Sequence, residues 1–328
     1  MEYINFADTN IKISNLGFGC MGMSEFYGPS DDENSIKILE HALEMGVNFF
    51  DTADQYGHGH NEELLGKFMK GRRESIVIAT KFGIVRNEKG AYERSIDNSP
   101  EYVRSACEAS LKRLGINSID LYYAHRLNPD HSIEAMMTEL ASLVKEGKIR
   151  TIGLSEVSGE QLRAAHKIHP VSAVQSEYSL WTRDIETNGV LETCRELGVT
   201  VVPYSPLGRG FLTGSITTTD GLDQNDFRRK SPRFQRGNLN LELVNSVKKL
   251  AEDKGCTPAQ IALSWVMAQG DDIVPIPGTR RIRYLEDNLG SIDLPLSSTD
   301  INYLENIFTV EAISGNRYPS EGMKGIPQ

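Results

Sequence analysis

The chain has 328 residues, a formal net charge of −10 and the composition of an ordinary globular protein. The acidic balance argues against nucleic acid or an anionic membrane as partner. No apolar run reaches membrane-spanning length, the N-terminus has no secretory leader pattern, and Cys20, Cys107, Cys194 and Cys256 form no CxxC, as expected of reduced thiols in a cytoplasmic protein.

Tyr3 to Phe6 and Ile11 to Ser14 flank Ala7-Asp8-Thr9-Asn10 and alternate as a hairpin does. Strand-like and helix-like stretches then alternate. The predicted strands are Leu16–Cys20, Val47–Phe50, Ser75–Thr80, Ile119–Ala124, Thr151–Leu154, Ala173–Gln175, Thr200–Tyr204 and Ile273–Ile276. The predicted helices are Glu33–Met45, Glu62–Lys70, Pro100–Leu114, Ile133–Glu146, Gly159–Lys167, Gly189–Leu197, an extended region from Leu241 to Gln269, and Arg281–Leu289. Asn98-Ser99-Pro100 and Thr257-Pro258 put a capping residue before a first-turn proline. Eight such strands predict a parallel sheet with crossover helices, closed as a (β/α)8 TIM barrel with an N-terminal β-hairpin. A last helix, Ser298 to Asn306, and a tail, Glu311 to Gln328, follow the repeat. No linker divides residues 1–328, which read as one domain. The long connection from Ser205 to Asn240 has no clear periodicity, and a loop of that length in a compact domain is expected to be functional.

In an α/β barrel the carboxyl ends of the strands face one mouth, where ligands bind. Asp51 and Tyr56 follow the second strand, Lys81 the third and His125 the fourth. Together they make sense as a proton donor. A lysine ammonium beside a phenol favours the phenolate and lowers its pKa, a carboxylate keeps the lysine charged, and the histidine hydrogen-bonds a carbonyl oxygen or helps the phenol donate to it.

The stretches Phe50-Asp51-Thr52-Ala53-Asp54-Gln55-Tyr56-Gly57, Thr80-Lys81-Phe82-Gly83, Leu121-Tyr122-Tyr123-Ala124-His125-Arg126 and Tyr204-Ser205-Pro206-Leu207-Gly208 resemble the aldo-keto reductase superfamily, in order and over nearly the whole chain. The resemblance implies an NADP-linked reductase of a small aldehyde or ketone, with Tyr56 as acid, Lys81 and Asp51 tuning it, and His125 orienting substrate. The rival within the same fold is a regulatory subunit that holds the nucleotide and turns over slowly; the short segment before the first hairpin suggests no docking appendage. The resemblance further implies that Ser155 and Gln175 hold the nicotinamide carboxamide and that Tyr204 stacks on the ring. Ser205, Pro206, Leu207 and Gly208 would follow the pyrophosphate. Glu156 stands where asparagine is usual in the family; a carboxylate can accept from the amide but not donate to it, so Ser155 would have to donate.

Pro277-Gly278-Thr279-Arg280-Arg281-Ile282-Arg283 opens the helix after the eighth strand. Cations are disfavoured at a helix start unless an anion compensates, and loops after strands seven and eight of a barrel often bind phosphate. The candidate anion is the 2′-phosphate of NADPH, with Gly278, Thr279 and Arg280 around it. By resemblance, Asn288, beside Asp287, takes the adenine edge.

Two signals are set aside. Gly17-Phe18-Gly19-Cys20-Met21-Gly22 fits G-x-G-x-x-G, but no helix follows it directly and Asp51 lies late for the usual ribose acid about 20 residues on. His58-Gly59-His60 lacks further ligands, so no metal is expected. Substrate walls are expected in the loops, at Tyr27, Trp181, Phe211 and the tail around Tyr318. The tail has no place in the repeat, so it reads as removable after Val310 without loss of folding.

Overall fold

Hydrophobic alternation in the first residues closes a small hairpin: β1 (Tyr3–Asn5) pairs antiparallel with β2 (Lys12–Ser14), Ile4 opposite Ile13. The computed structural model describes residues 1–86, 94–235, 237 and 239–327; Arg236 and Asn238 of the long connection and Gln328 of the tail lie outside them. Phe6, Ile11 and Ile13 of the hairpin segment are buried against Phe49, Leu121 and Val202, side chains of the barrel interior.

The barrel strands are β3 (Phe18–Gly19), β4 (Phe49–Asp51), β5 (Val77–Phe82), β8 (Ile119–Ala124), β9 (Ile149–Ser155), β10 (Val171–Glu177) and β11 (Thr200–Tyr204), neighbours in that order and all parallel. Between β5 and β8 lies a side hairpin, β6 (Ile84–Arg86) with β7 (Arg94–Ile96). The strands are apolar on both faces because helices cover the outside and side chains fill the inside. Ile273–Ile276, expected as an eighth strand, is not a regular one. Pro275 and Pro277 have no N–H to give, so only alternate groups pair. Val274 and Ile276 donate to the carbonyls of Val201 and Pro203, while the carbonyls of Pro275 and Pro277 accept from Gly17 and Gly19. Seven regular strands and this proline-punctuated segment complete the barrel.

The glycines of the apparent dinucleotide motif are explained here. A Cβ on Gly17 would meet the Phe49 ring at 2.6 Å, and one on Gly19 the carbonyl oxygen of Ile276 at 2.7 Å. They permit close approach of the closing segment.

The helices α1 (Asp32–Glu44), α2 (His60–Met69), α3 (Pro100–Leu114), α4 (Ile133–Lys145), α5 (Gly159–Ile168) and α6 (Val190–Leu197) surround the sheet. The extended region from Leu241 to Gln269 divides into α7 (Leu241–Lys254) and α8 (Pro258–Met267): Gly255 turns left-handed, and Thr257 with Gln260 forms a capping box. Then come α9 (Ile282–Leu289) and α10 (Ser298–Ile307).

The tail returns across the mouth. Arg317, buried, ion-pairs with Glu156 at 3.1 Å, and the Tyr318 hydroxyl lies 2.9 Å from that of Tyr204. This corrects the expectation of a removable wall: cutting after Val310 would leave the buried Glu156 carboxylate without its arginine, a costly defect.

Candidate active site

The register of neighbouring strands sets Asp51 opposite Ala79, Lys81 opposite Tyr123 and Ser155 opposite Gln175. Asp51, Lys81 and His125 thereby converge. Tyr56 joins them from the short turn Tyr56–Gly59, in which Gly57 and His58 adopt positive φ. Lys81 Nζ lies 2.5 Å from Asp51 Oδ1, 2.6 Å from the Thr52 carbonyl oxygen and 3.5 Å from the Tyr56 hydroxyl. The second oxygen of Asp51 accepts from Gln175 Nε2 at 2.8 Å. The His125 ring stands edge-on to Tyr56, centroids 6.0 Å apart, with Gln55 Nε2 3.3 Å from its Nδ1. All four predicted residues therefore meet, and all four are buried.

The electrostatics differ from expectation in one respect. The Tyr56 phenol is pushed well above its ordinary range, first by burial and then by the Asp51 charge, and the Arg126 charge pulls it partly back. Burial also raises Asp51 and lowers Lys81, while each partner's charge opposes the shift of the other. The phenol is held protonated, as a donor must be.

Behind the site, Asp54 Oδ1 is buried without a partner, and burial, with Glu62 nearby, raises its carboxyl to about 8. A raised carboxyl keeps its proton in the fold while the unfolded chain releases it near pH ~4. Stability from this position is therefore full below that pH and falls as pH rises towards about 8. Asp54→Asn is expected to match the parent near pH 4 and to melt a few degrees higher near pH 8; thermal melts at both pH values check this, and a pH-independent difference would contradict it.

A second set of charges lies above the phenol. Glu156, at positive φ, accepts from the Glu177 amide, the Tyr204 hydroxyl and Arg317. Glu177 in turn accepts from Arg209 at 2.6 Å, and the Arg209 guanidinium lies 4.6 Å from the Tyr318 ring centroid. Sequence reasoning missed Arg126 and Arg317. Arg126 had a signal, since it directly follows His125; Arg317 had none, because its partner is 161 positions away.

The remaining predicted residues are placed as follows. Ser155 Oγ accepts from Arg126 at 3.2 Å. Ser205 and Gly208 both take positive φ at the turn after β11, where Pro206 and Leu207 lie between them. The Arg280 guanidinium donates to the carbonyls of Tyr27, Gly28 and Pro29 at 2.7, 3.3 and 2.6 Å. Thr279 Oγ accepts from the Arg281 amide at 3.2 Å. Asn288 is buried beside Asp287, whose carboxylate accepts from Thr257 at 2.8 Å and so tethers α8 to α9. Trp181 and Phe211 are corrected: they stack on each other at 4.1 Å in the core, both essentially unexposed, and do not reach the rim. Tyr27 and Tyr318 are partly exposed. His60 hydrogen-bonds Ser24 at 2.9 Å and faces Asp32.

Residues 15–308 match the model of the aldo/keto reductase family. The chain is 46% identical over 316 residues to "Aldo-keto reductase yakc [NADP(+)]" of Schizosaccharomyces pombe, covering 94% of this chain and 93% of that one. It is 46% identical over 322 residues to "Probable aldo-keto reductase 1" of Glycine max, covering 97% and 92%. Among solved structures it superposes on the glycerol dehydrogenase AKR11B4 of Gluconobacter oxydans with a TM-score of 0.85 at 27% identity, over 93% of this chain and 94% of that one. The thermostable aldo-keto reductase Tm1743 gives 0.76 at 30% identity, over 94% and 100%.

Proposed function

The chain belongs to the aldo/keto reductase family, and from that premise we propose that it reduces an aldehyde or ketone to the alcohol with NADPH, Tyr56 giving the proton. The observation that carries this reading is Lys81 Nζ lying between the Asp51 carboxylate and the Tyr56 hydroxyl inside a buried pocket. The name of the fission yeast relative, which includes NADP(+), supports the cofactor.

The residues present fit that cofactor. At the phosphate end, the N-cap of α9, Arg281, makes no side-chain cap, leaving amides for an anion, and Arg280 donates to backbone carbonyls it can exchange. Gly278 approaches Gly19 so closely that a Cβ would meet the Gly19 carbonyl oxygen at 2.3 Å, so the loop that leads to Arg280 is packed directly on the first barrel strand. At the other end, Ser155 offers a hydroxyl, and the Gln175 amide nitrogen is already oriented by Asp51. Glu156 is saturated by Arg317, Tyr204 and the Glu177 amide, so Ser155 and Gln175 hold the carboxamide without it. Tyr204, fixed through its hydroxyl, presents its ring.

Bound NADPH supplies a hydride to the carbonyl carbon. Tyr56 hydrogen-bonds the carbonyl oxygen and transfers its proton as charge develops there, because an alkoxide is a far stronger base than a phenolate. Lys81 stabilises the phenolate left behind, Asp51 keeps Lys81 in place, and His125 directs the substrate oxygen towards the phenol. Mixing the NADPH complex with an aldehyde panel in a stopped-flow instrument is expected to oxidise the cofactor within single turnovers and to continue at a steady rate. One slow turnover followed by arrest would favour the regulatory-subunit reading.

A further inference from the structure

The mouth of the barrel holds a buried cation to which the reaction scheme assigns no ligand. Lys81 is paired with Asp51, Arg317 with Glu156, Arg209 with Glu177, and Arg233 reaches Glu177 and the Trp181 carbonyl. Arg126 is different. Its guanidinium donates to two uncharged oxygens, the His125 carbonyl at 2.6 Å and Ser155 Oγ at 3.2 Å, and its Nε is buried with no acceptor. Among the described residues it forms no ion pair. Yet it is only 4% exposed. Glu156 balances its charge only from beyond hydrogen-bonding reach, and a buried guanidinium whose own donors lack a carboxylate acceptor leaves them for a ligand to complete.

Its position says which ligand. Arg126 follows His125 directly, contacts Ser155 on the next strand, and its charge is felt at the Tyr56 phenol. It therefore borders the reacting carbonyl. The phosphates of a dinucleotide would lie further away, near Arg280 and residues 205–208, and the part of the cofactor beside Ser155 is an uncharged carboxamide. The tail packs at the base of the residue, where a Cβ on Gly325 would sit 3.2 Å from Arg126 Cβ, and the guanidinium reaches Ser155 on the neighbouring strand. An anion that reaches it must arrive on the substrate.

We propose that Arg126 binds a carboxylate carried by the substrate, so that the preferred substrates are oxo acids, aldehydes or ketones bearing a carboxylate. The proposal rests on the reductase reading above and narrows its substrate class. A planar guanidinium meets a carboxylate with two parallel hydrogen bonds, which fixes the orientation of the neighbouring carbonyl as well as adding affinity. Arg126 thus acts as a specificity residue in addition to its charge effect on the Tyr56 phenol, so its role is read from the ratio between an acid and its neutral counterpart rather than from an absolute rate.

The test compares kcat/KM for 4-oxobutanoate against butanal and for 4-carboxybenzaldehyde against 4-methylbenzaldehyde, in the parent enzyme, Arg126→Met and Arg126→Lys. The parent is expected to favour the acid by about tenfold or more in at least one pair. Arg126→Met changes the rate on both members of each pair through the phenol, so the ratio is the readout: it falls towards unity, with the additional loss for the acid mainly in KM and with NADPH affinity, read by fluorescence, within about twofold of the parent. Arg126→Lys keeps the charge but not the fork and retains part of the preference. Equal rates on both members of each pair in the parent, or a preference that survives Arg126→Met, overturns the proposal. So does a loss of NADPH affinity that lowers both members equally, since the arginine then serves the cofactor. If Arg126→Met does not fold by circular dichroism, the parent ratio and Arg126→Lys still decide. Failure of the parent to reduce any of the four compounds with NADPH would instead strike the reductase reading itself.

Discussion

Tyr56→Phe is expected to lower kcat for carbonyl reduction by about 10²–10⁴-fold, the usual loss when a general acid is removed, while leaving NADPH affinity intact. The substitution deletes one oxygen. That oxygen lies 3.5 Å from Lys81 Nζ, and Lys81 keeps shorter bonds to Asp51 and to the Thr52 carbonyl. The ring stays edge-on to His125, so the fold has little reason to respond. Lys81→Met is expected to be slow for another reason: it strands the Asp51 charge in a buried site and raises the phenol further, so it should also cost stability. Single-turnover oxidation of bound NADPH separates the two effects. Retention of most of the kcat by Tyr56→Phe would remove Tyr56 as the acid.

Arg280→Ala is expected to weaken NADPH binding by about ten- to a hundredfold and to change NADH binding little. The expectation follows from one charge-assisted contact with the 2′-phosphate, worth roughly 1.5–3 kcal/mol. The guanidinium also holds three carbonyls of the loop at residues 27–29, so its loss loosens that loop for either cofactor. The difference between the two nucleotides isolates the phosphate contact from the loop contact. Fluorescence titration of NADPH and NADH against both proteins measures it; equal losses would assign the arginine to the loop alone.

The sequence by itself determined the order of the barrel elements and the four residues at its strand ends. Both are local: an apolar run that stops at Asp51 or His125 marks a strand leaving the core, whatever surrounds it. Capping chemistry located the starts of α3 and α8 for the same reason. The eighth strand was over-read because hydrophobicity does not register that Pro275 and Pro277 lack donors, and only the observed pairing with Gly17 and Val201 reveals the half-ladder. Trp181 and Phe211 looked like rim aromatics because they follow strands; which face a loop aromatic turns is decided by packing, here against each other. Tertiary structure alone decided the charges. The phenol is set by burial and by the charges of Asp51 and Arg126, and the Glu156 carboxylate that acts on Arg126 is itself held in a direct pair by Arg317, from a tail far away in sequence. Electrostatic energies are set by distance and desolvation in three dimensions, and neither quantity is written in the spacing of residues along the chain.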